Sequence, residues 1–404
     1  MLWPSMRLDQ CCRIVSGATP STGEPTYWDG NICWATPKDL SELDGPTISN
    51  TSRRITSAGL ASCAAEVLPP GSVLFSSRAP IGYVAINSVP MATNQGFKSF
   101  IPQKGVLEPR FLYWWLKTNR NYLEGLGNGA TFKELSKASI SRVTIPVPPL
   151  ADQRYVSDVL DHAESLLASR MLALVRLDEL ARAMFAEQTQ GAAATSWKRV
   201  KLRDAYWFQE GPGVRAWQFT ASGVKLLNVG NIQASGTLNL AKTTRYISEE
   251  EAHGRYSHFL ADAGDLVIAS SGVSFAQDGL LRTRGAFVAP CDLPLCMNTS
   301  TIRFKAKAGI SDLRYLHSWL DSVEFRSQIT RLVTGTAQQN FGPSHLSQLT
   351  ITLPPLEIQR ALAAKAEEVA RARSVQATSL RQLEALRACL QHRAFAGALN
   401  RPGE

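Results

Sequence analysis

TIPVPPLADQR occupies residues 144–154, and TITLPPLEIQR occupies residues 350–360. Seven of the eleven positions agree, at a constant offset of 206. The match spreads outward from there. GATFKELSKASISRVTIPVPPL (129–150) aligns without a gap with GTAQQNFGPSHLSQLTITLPPL (335–356), and RFLYWWLK (110–117) with RYLHSWLD (314–321). GSVLFSS (71–77) aligns with GDLVIAS (264–270), and NICWATPKDL (31–40) matches GVKLLNVGNI (223–232) in pattern, by which point the offset has fallen to 192. A period near 200 is far too long for a solenoid and marks a duplicated domain with loops of unequal length.

The junction has a mechanical reading. Two prolines cannot continue a strand ladder, and they hold the preceding backbone extended. The Leu-x-x-Gln-Arg that follows opens a helix, with Asp152 and Glu357 near its positive N-terminal end. Residues 151–188 contain neither Gly nor Pro, and Val156, Leu160, Ala163, Leu167, Met171, Leu174, Leu177, Ala181 and Met184 recur at alternating three- and four-residue steps. That is a coiled-coil seam. Leu362, Ala366, Val369, Leu380, Leu383, Leu386 and Leu390 follow the second junction similarly, with an interruption at Gln376 and Ala377 that reads as a one-turn stutter. Thirty-eight helical residues extend roughly 57 Å at ~1.5 Å per residue. An unpaired seam would leave leucines in water, so the two helices are expected to pair antiparallel.

Upstream of each junction the text changes character. VLFSS, YVAI, DLVIAS and TIRFKA read as buried strands, and RFLYWWLKTN and LRYLHSWLDSVEFRSQITRLV as helices. The expected fold is mixed α/β (α+β): two globular domains, 1–150 and 196–355, joined by two long helices, 151–195 and 356–404, in an antiparallel coiled coil with approximate two-fold symmetry.

Composition narrows the class. The chain has 404 residues, 44% hydrophobic and 19% charged. No apolar run reaches the ~18–20 residues of a membrane span, and the start carries no signal-peptide pattern, so a cytoplasmic protein without membrane contact is expected. Seven cysteines, an odd number, include no CxxC pair, which argues against a zinc knuckle or a disulfide framework and for buried free thiols. The net charge of +9 divides as +4 over 1–150, −3 over 151–195, +5 over 196–355 and +3 over 356–404. Two mildly basic domains suit a polyanionic partner.

Catalytic motifs are missing from the text. There is no GxxxxGK[ST] loop, no HExxH and no acidic residue two positions before any lysine. No Asn/Asp-Pro-Pro-Tyr/Phe stands here for amino-methyl transfer, since both Pro-Pro pairs are followed by leucine.

Four stretches carry a family resemblance: SGATPSTGEPTYWDGNICWATPKDL (16–40), PGSVLFSSRAPIGYVAI (70–86) with TNQGFKSF (93–100), the doubled Pro-Pro-Leu…Gln-Arg junction, and LRQLEALRACLQHRAFAGAL (380–399). Together they resemble the specificity (S) subunit of type I restriction–modification enzymes. The resemblance implies a non-catalytic subunit with two target-recognition domains, each reading one half of a split, asymmetric site in double-stranded DNA. It implies spacer helices that set the gap and dock two modification (methyltransferase) subunits, with an ATP-dependent restriction subunit as a further partner. S-adenosylmethionine would belong to the modification subunit, leaving no cofactor and no metal on this chain. The second domain departs from the signature: QEGPGVRAWQFTAS (209–222) stands where the first has SGATPSTGEPTYWDG.

Base edges are read by Arg, Lys, Asn and Gln on exposed loops, and phosphates are held by Lys, Arg and backbone amides. The candidates in the first domain are Lys38, Arg53, Arg54, Arg78, Asn94, Gln95 and Lys133. In the second they are Arg215, Gln218, Lys242, Arg245, Arg282, Arg284 and Asn298. Asn94 and Asn298 align at an offset of 204, and either could instead stabilise a turn. Trp28 and Trp34 are expected in the core. The competing reading is a scaffold in a phage-defence complex whose domains bind protein and read no DNA sequence.

Overall fold

The computed structural model of the protein describes residues 3–129, 133–190, 196–233, 236–241, 243–276, 278–333 and 340–399. Two compact units form, Met1–Ser169 with Leu380–Glu404, and Arg170–Ser379. Both boundaries fall inside the long helices Leu150–Gln190 and Leu356–Phe395. Each unit therefore holds one globular domain and a part of each helix, which differs from a division into four consecutive segments.

In the first unit a five-stranded sheet runs in the order Cys12–Ser16, Lys98–Pro102, Val73–Ser77, Ile81–Asn87, Thr47–Ile48. A second sheet orders Arg53–Ile55, Trp28–Ala35 and Met91–Thr93. All five side chains of Val73–Ser77 are buried, as a strand with both faces covered requires. Helix Pro109–Thr118 starts on a proline whose missing N–H costs nothing there, and packs Phe111, Leu112 and Trp114 with Phe75 and Phe100.

The second unit repeats the register of the scaffold's paired strands. Cys12 pairs Pro102 and Ser16 pairs Lys98 in the first unit; Tyr206 pairs Ala306 and Glu210 pairs Ile302 in the second. The short ribbon before the junction recurs in the same register, Met6 opposite Ile145 and Val200 opposite Ile351. One difference lies where a loop turns between strands. Where the first unit turns through Arg78-Ala79-Pro80 into the seven-residue strand Ile81–Asn87, the second inserts a hairpin, Ser274–Phe275 with Leu281–Arg282, before the short strand Gly285–Phe287.

The repeated glutamine of the junction proves to be its lock. Gln153 is fully buried: its Oε1 accepts from the Glu108 N–H at 2.8 Å, and its Nε2 donates to the carbonyls of Val106 (2.8 Å) and Pro148 (2.7 Å). Gln359, equally buried, does the same with the Asp312 N–H (2.9 Å) and the carbonyls of Ile310 (3.0 Å) and Pro354 (2.8 Å). One side chain thus satisfies the loop before the domain's helix and the Pro-Pro segment at once, and fixes the exit angle of the long helix.

Within each unit the long helices pair antiparallel. In the first, Glu164 meets Arg387 at 2.9 Å, and Phe395 packs edge-on to Phe111 in the core that also takes Val156 and Leu160. In the second, Asp178 meets Arg373 at 2.6 Å and the Arg170 guanidinium donates to Gln376 Oε1 at 2.5 Å. The seam is thinner than its sequence pattern suggests. Val156, Leu160, Ala163 and Leu167 are buried, but Met171 is 58% exposed and Leu386 half exposed. Two helices can cover only a narrow stripe, and beyond the globular core polar pairs hold much of it. A second correction concerns the thiols: all seven are free, but Cys291 and Cys389 are exposed and Cys63 only half-buried. No helix among the described residues is long and apolar enough to cross a membrane.

Candidate nucleic-acid interface

The loops that carry the candidate residues of the first domain converge at one end of its sheets. Gly17 follows strand Cys12–Ser16 and donates its N–H to the Phe97 carbonyl at 3.3 Å. A Cβ at Gly17 would lie 1.9 Å from the Asn94 carbonyl oxygen, so only glycine allows the two loops to touch. The Thr19 hydroxyl and Gln95 Oε1 bond across the same contact. A Cβ at Gly96 would sit 3.4 Å from Pro37 Cγ and 3.7 Å from Arg78 Cγ. The structure therefore brings Arg78, Asn94, Gln95 and the turn bearing Lys38 together.

Each of these side chains has local work as well. Asn94 Oδ1 accepts the Gly96 N–H at 2.9 Å, the turn-stabilising role. Arg78 lies 3.7 Å from Glu134, whose other oxygen faces the buried Lys98 ammonium at 3.4 Å. Lys38 is exposed, 3.7 Å from Glu42. Lys133, beside Glu134, is exposed; residues 130–132 of that loop lie outside the described set.

Arg53 and Arg54 stand on the edge strand next to this cluster. The Arg53 guanidinium lies 3.6 Å over the ring of Trp28, and Arg54 donates to Asn50 Oδ1 at 2.9 Å. Both tryptophans are core residues: their rings meet edge to face at 5.1 Å. The Trp28 indole N–H donates to the Ser21 carbonyl and that of Trp34 to the Ala18 carbonyl, each at 3.0 Å. They thus pin the 17–25 loop from beneath. Asp39 closes the turn at Thr36: burial pushes its carboxyl up, but bonds from the Thr36 hydroxyl and the Thr36 and Ser52 N–H groups outweigh that and hold it below its ordinary range.

The second domain builds the same end differently. Gly211 takes the place of Gly17, and its Cβ would lie 2.3 Å from the Asn298 backbone nitrogen. Asn298 is largely committed to structure: its Nδ2 donates to Asn228 Oδ1 at 3.0 Å and its Oδ1 accepts the Thr299 N–H at 2.8 Å. Gln218, expected on an exposed loop, is buried. Its Oε1 accepts the Arg215 N–H at 3.0 Å, and its Nε2 donates to Glu251 (2.8 Å) and Tyr256 Oη (2.9 Å). A polar letter inside a loop did not reveal that its amide anchors the turn. Arg215 is exposed, and Arg245 is exposed with its guanidinium 5.3 Å from the Phe219 ring. A shallow polar cleft beside Arg245 is lined by Asn228, Gln233, Asn239 and Thr244.

Arg282 lies on the inserted hairpin, 3.8 Å from Asp321, and Arg284 is exposed at its foot. The hairpin is held by the buried Arg326, which donates to both oxygens of Asp278 at 2.8 and 2.6 Å. Lys242 lies outside the described residues, as does the loop 335–339. Among the described residues no cluster of His, Cys, Asp and Glu could hold a metal.

Comparison with known proteins gives these geometries a context. Residues 2–170 match the family model described as type I restriction modification DNA specificity domain. The chain is 36% identical over 185 residues to the type I restriction enzyme MjaIX specificity subunit of Methanocaldococcus jannaschii, covering 45% of this chain and 43% of that one. It is 22% identical over 278 residues to the MjaVIII specificity subunit of the same organism, covering 65% and 64%. The chain thus spans under two thirds of the length of these relatives. Two solved structures share the fold over nearly the whole chain. One, from a study of complex assembly and conformational transition of the type I R-M system, is 18% identical with a TM-score of 0.62, covering 98% of each chain. The other, the type I S subunit from M. genitalium, is 14% identical with a TM-score of 0.56, covering 97% and 96%. Residues 2–170 thus carry the type I specificity-domain match, and the chain as a whole is similar in fold to type I specificity subunits.

Proposed function

We propose that this chain is a type I specificity subunit that reads a bipartite, asymmetric DNA site, one half with each globular domain. The observation that carries the proposal is the duplication itself: one scaffold, with strand registers and the junction glutamine repeated, presents two different sets of loops. Two readers with equal frames and unequal loops suit a site with unlike halves. Exposed Arg53, Arg54, Lys133, Arg215, Arg245, Arg282 and Arg284 would meet phosphates and base edges. Lys38, Arg78 and Gln95 would act beside the Gly17–Asn94 contact. The helices, 41 and 40 residues long, would set the gap between half-sites.

The same helices would dock two modification subunits. Met171, Leu172 and Val175 stand exposed on one helix at spacings that place them side by side, an apolar surface that a partner would cover. Adenine methylation, with S-adenosylmethionine, would be the work of that partner, and a restriction subunit would join the assembly. With the modest charge of the two domains, +4 and +5, the subunit alone would bind DNA weakly and the partners would complete the clamp.

Methylome sequencing of cells with and without this chain, beside its modification subunit, tests the reading. A split, asymmetric adenine-methylation motif should appear only with the chain. Methylation that ignores its presence, or a continuous motif, would contradict it.

A further inference from the structure

Trp217 is 78% exposed, more than any other large apolar side chain among the described residues. It does not dangle. It sits on the one-turn helix Ala216–Gln218, and the next residue, Gln218, is the buried anchor bonded to the Arg215 N–H, to Glu251 and to the Tyr256 hydroxyl. Burying Gln218 leaves Trp217 directed outward from a turn with little freedom. Exposed cations flank it: Arg215 begins the turn, and Arg245 lies over Phe219 just after it, where the Thr220 N–H donates to the Tyr246 carbonyl at 3.0 Å. The nearby carboxylates are in part engaged, Glu251 by Gln218 and Glu249 by His253 at 3.3 Å. The matching turn of the first domain has no such feature. Its one-turn helix Pro25–Tyr27 carries a half-buried Tyr27, and Trp28 beyond it is buried under Arg53.

We propose that Trp217 is a specificity-determining residue of the second domain, whose indole packs against a thymine methyl in the second half-site while Arg215 and Arg245 hold the flanking phosphates. The proposal rests on the DNA-reading function above and names the residue that performs it. An indole on a rigid turn loses little entropy on contact, and in the major groove of a duplex the thymine methyl is the apolar edge that distinguishes one base from the others. Cations alone would hold the backbone without choosing a sequence. The first half-site would be read by polar and cationic groups without an aromatic contact.

The test uses the chain assembled with its modification subunits and the cognate duplex, titrated over a range of salt. Trp217→Ala should weaken specific binding about five- to a hundredfold, on the scale of one lost base-specific contact in a duplex. It should leave the salt slope unchanged and relax the methylation motif in the second half only. Trp217→Phe should recover part of the loss. Arg215→Ala and Arg245→Ala should each lower the salt slope by about one. A Trp217→Ala complex that binds and methylates as the wild type does, while the wild type is selective, overturns the inference and leaves the function standing. Loss of subunit assembly with unchanged DNA affinity per assembled complex also overturns it, since Trp217 would then face protein. A wild-type complex without sequence preference defeats the function itself.

Discussion

At the Thr36–Asp39 turn of the first unit a carboxylate closes the cap; at the matching turn of the second, Asn231 does. Asp39 accepts three bonds, from the Thr36 N–H and hydroxyl and the Ser52 N–H. Asn231 accepts one, from the Asn228 N–H at 2.8 Å, and uses its Nδ2 to donate to the Asn239 carbonyl and the Thr243 hydroxyl, both at 2.9 Å. The cap is kept in form, but the side chain that in the first unit accepts the Ser52 N–H here donates to Asn239 and Thr243, in a segment that matches residues 47–51 at the same offset of 192. The lesson is general for this chain. Bonds that build the frame recur with the same partners, and bonds that face the loops are reassigned. That division lets the loops of the two halves diverge without loss of the fold.

The largest test of the shared frame is at its two glycines. Gly17→Ala and Gly211→Ala each force a Cβ into backbone atoms of the opposing loop, and each should cost on the order of 3 kcal/mol or more, seen as a lower midpoint in urea. If only one of the two does so, the frames are not equivalent. Next come Gln153→Ala and Gln359→Ala. Each leaves one buried N–H and two carbonyls without partners, for a loss of about 2–4 kcal/mol. Equal losses would support the common lock; an unequal pair would show that one junction carries more of the load.

Smaller effects should divide the units. Asn231→Asp places a carboxylate oxygen against the Asn239 carbonyl in a buried site and should cost about 2–3 kcal/mol, whereas Asp39→Asn should cost only about 1–2 kcal/mol. Thermal melting of the two variants gives the order, and a reversal would break the account of the cap. The smallest effect concerns the helix pair. Burial raises the Glu164 carboxyl, but Lys117 and Arg387 outweigh it and hold it below the ordinary value. A depressed folded value means stability that is full above the unfolded value and lost as pH falls through the folded one. Glu164→Gln should therefore lower stability slightly at neutral pH, by less than about 1 kcal/mol for a pair this exposed, and converge with the wild type in acid.

Much of this was legible in the text, and the rest was not for stated reasons. The doubled TIPVPPLADQR and TITLPPLEIQR marked the junctions and the long helices, because proline and helical periodicity act locally. Trp28 and Trp34 were rightly placed in the core. The repeat of Gln153 and Gln359 was visible, but its cause was not, since it depends on backbone groups some forty-five residues upstream, the Val106 and Ile310 carbonyls among them. The sequence suggests a surface role for Gln218, because composition does not reveal which way an amide points. Met171 and Leu386 fit the seam by spacing, yet burial depends on how wide a stripe the partner helix covers. The hairpin 274–282 escaped notice because Phe275 and Leu281 make too short a pattern to read as strands.

The central claim is that each domain reads its own half of one DNA site. Exchanging residues 1–150 for the first domain of another specificity subunit, followed by methylome sequencing, tests it most directly. The account predicts a motif changed in one half, with the other half and the gap retained. A motif that changes in both halves, or in neither, would contradict it.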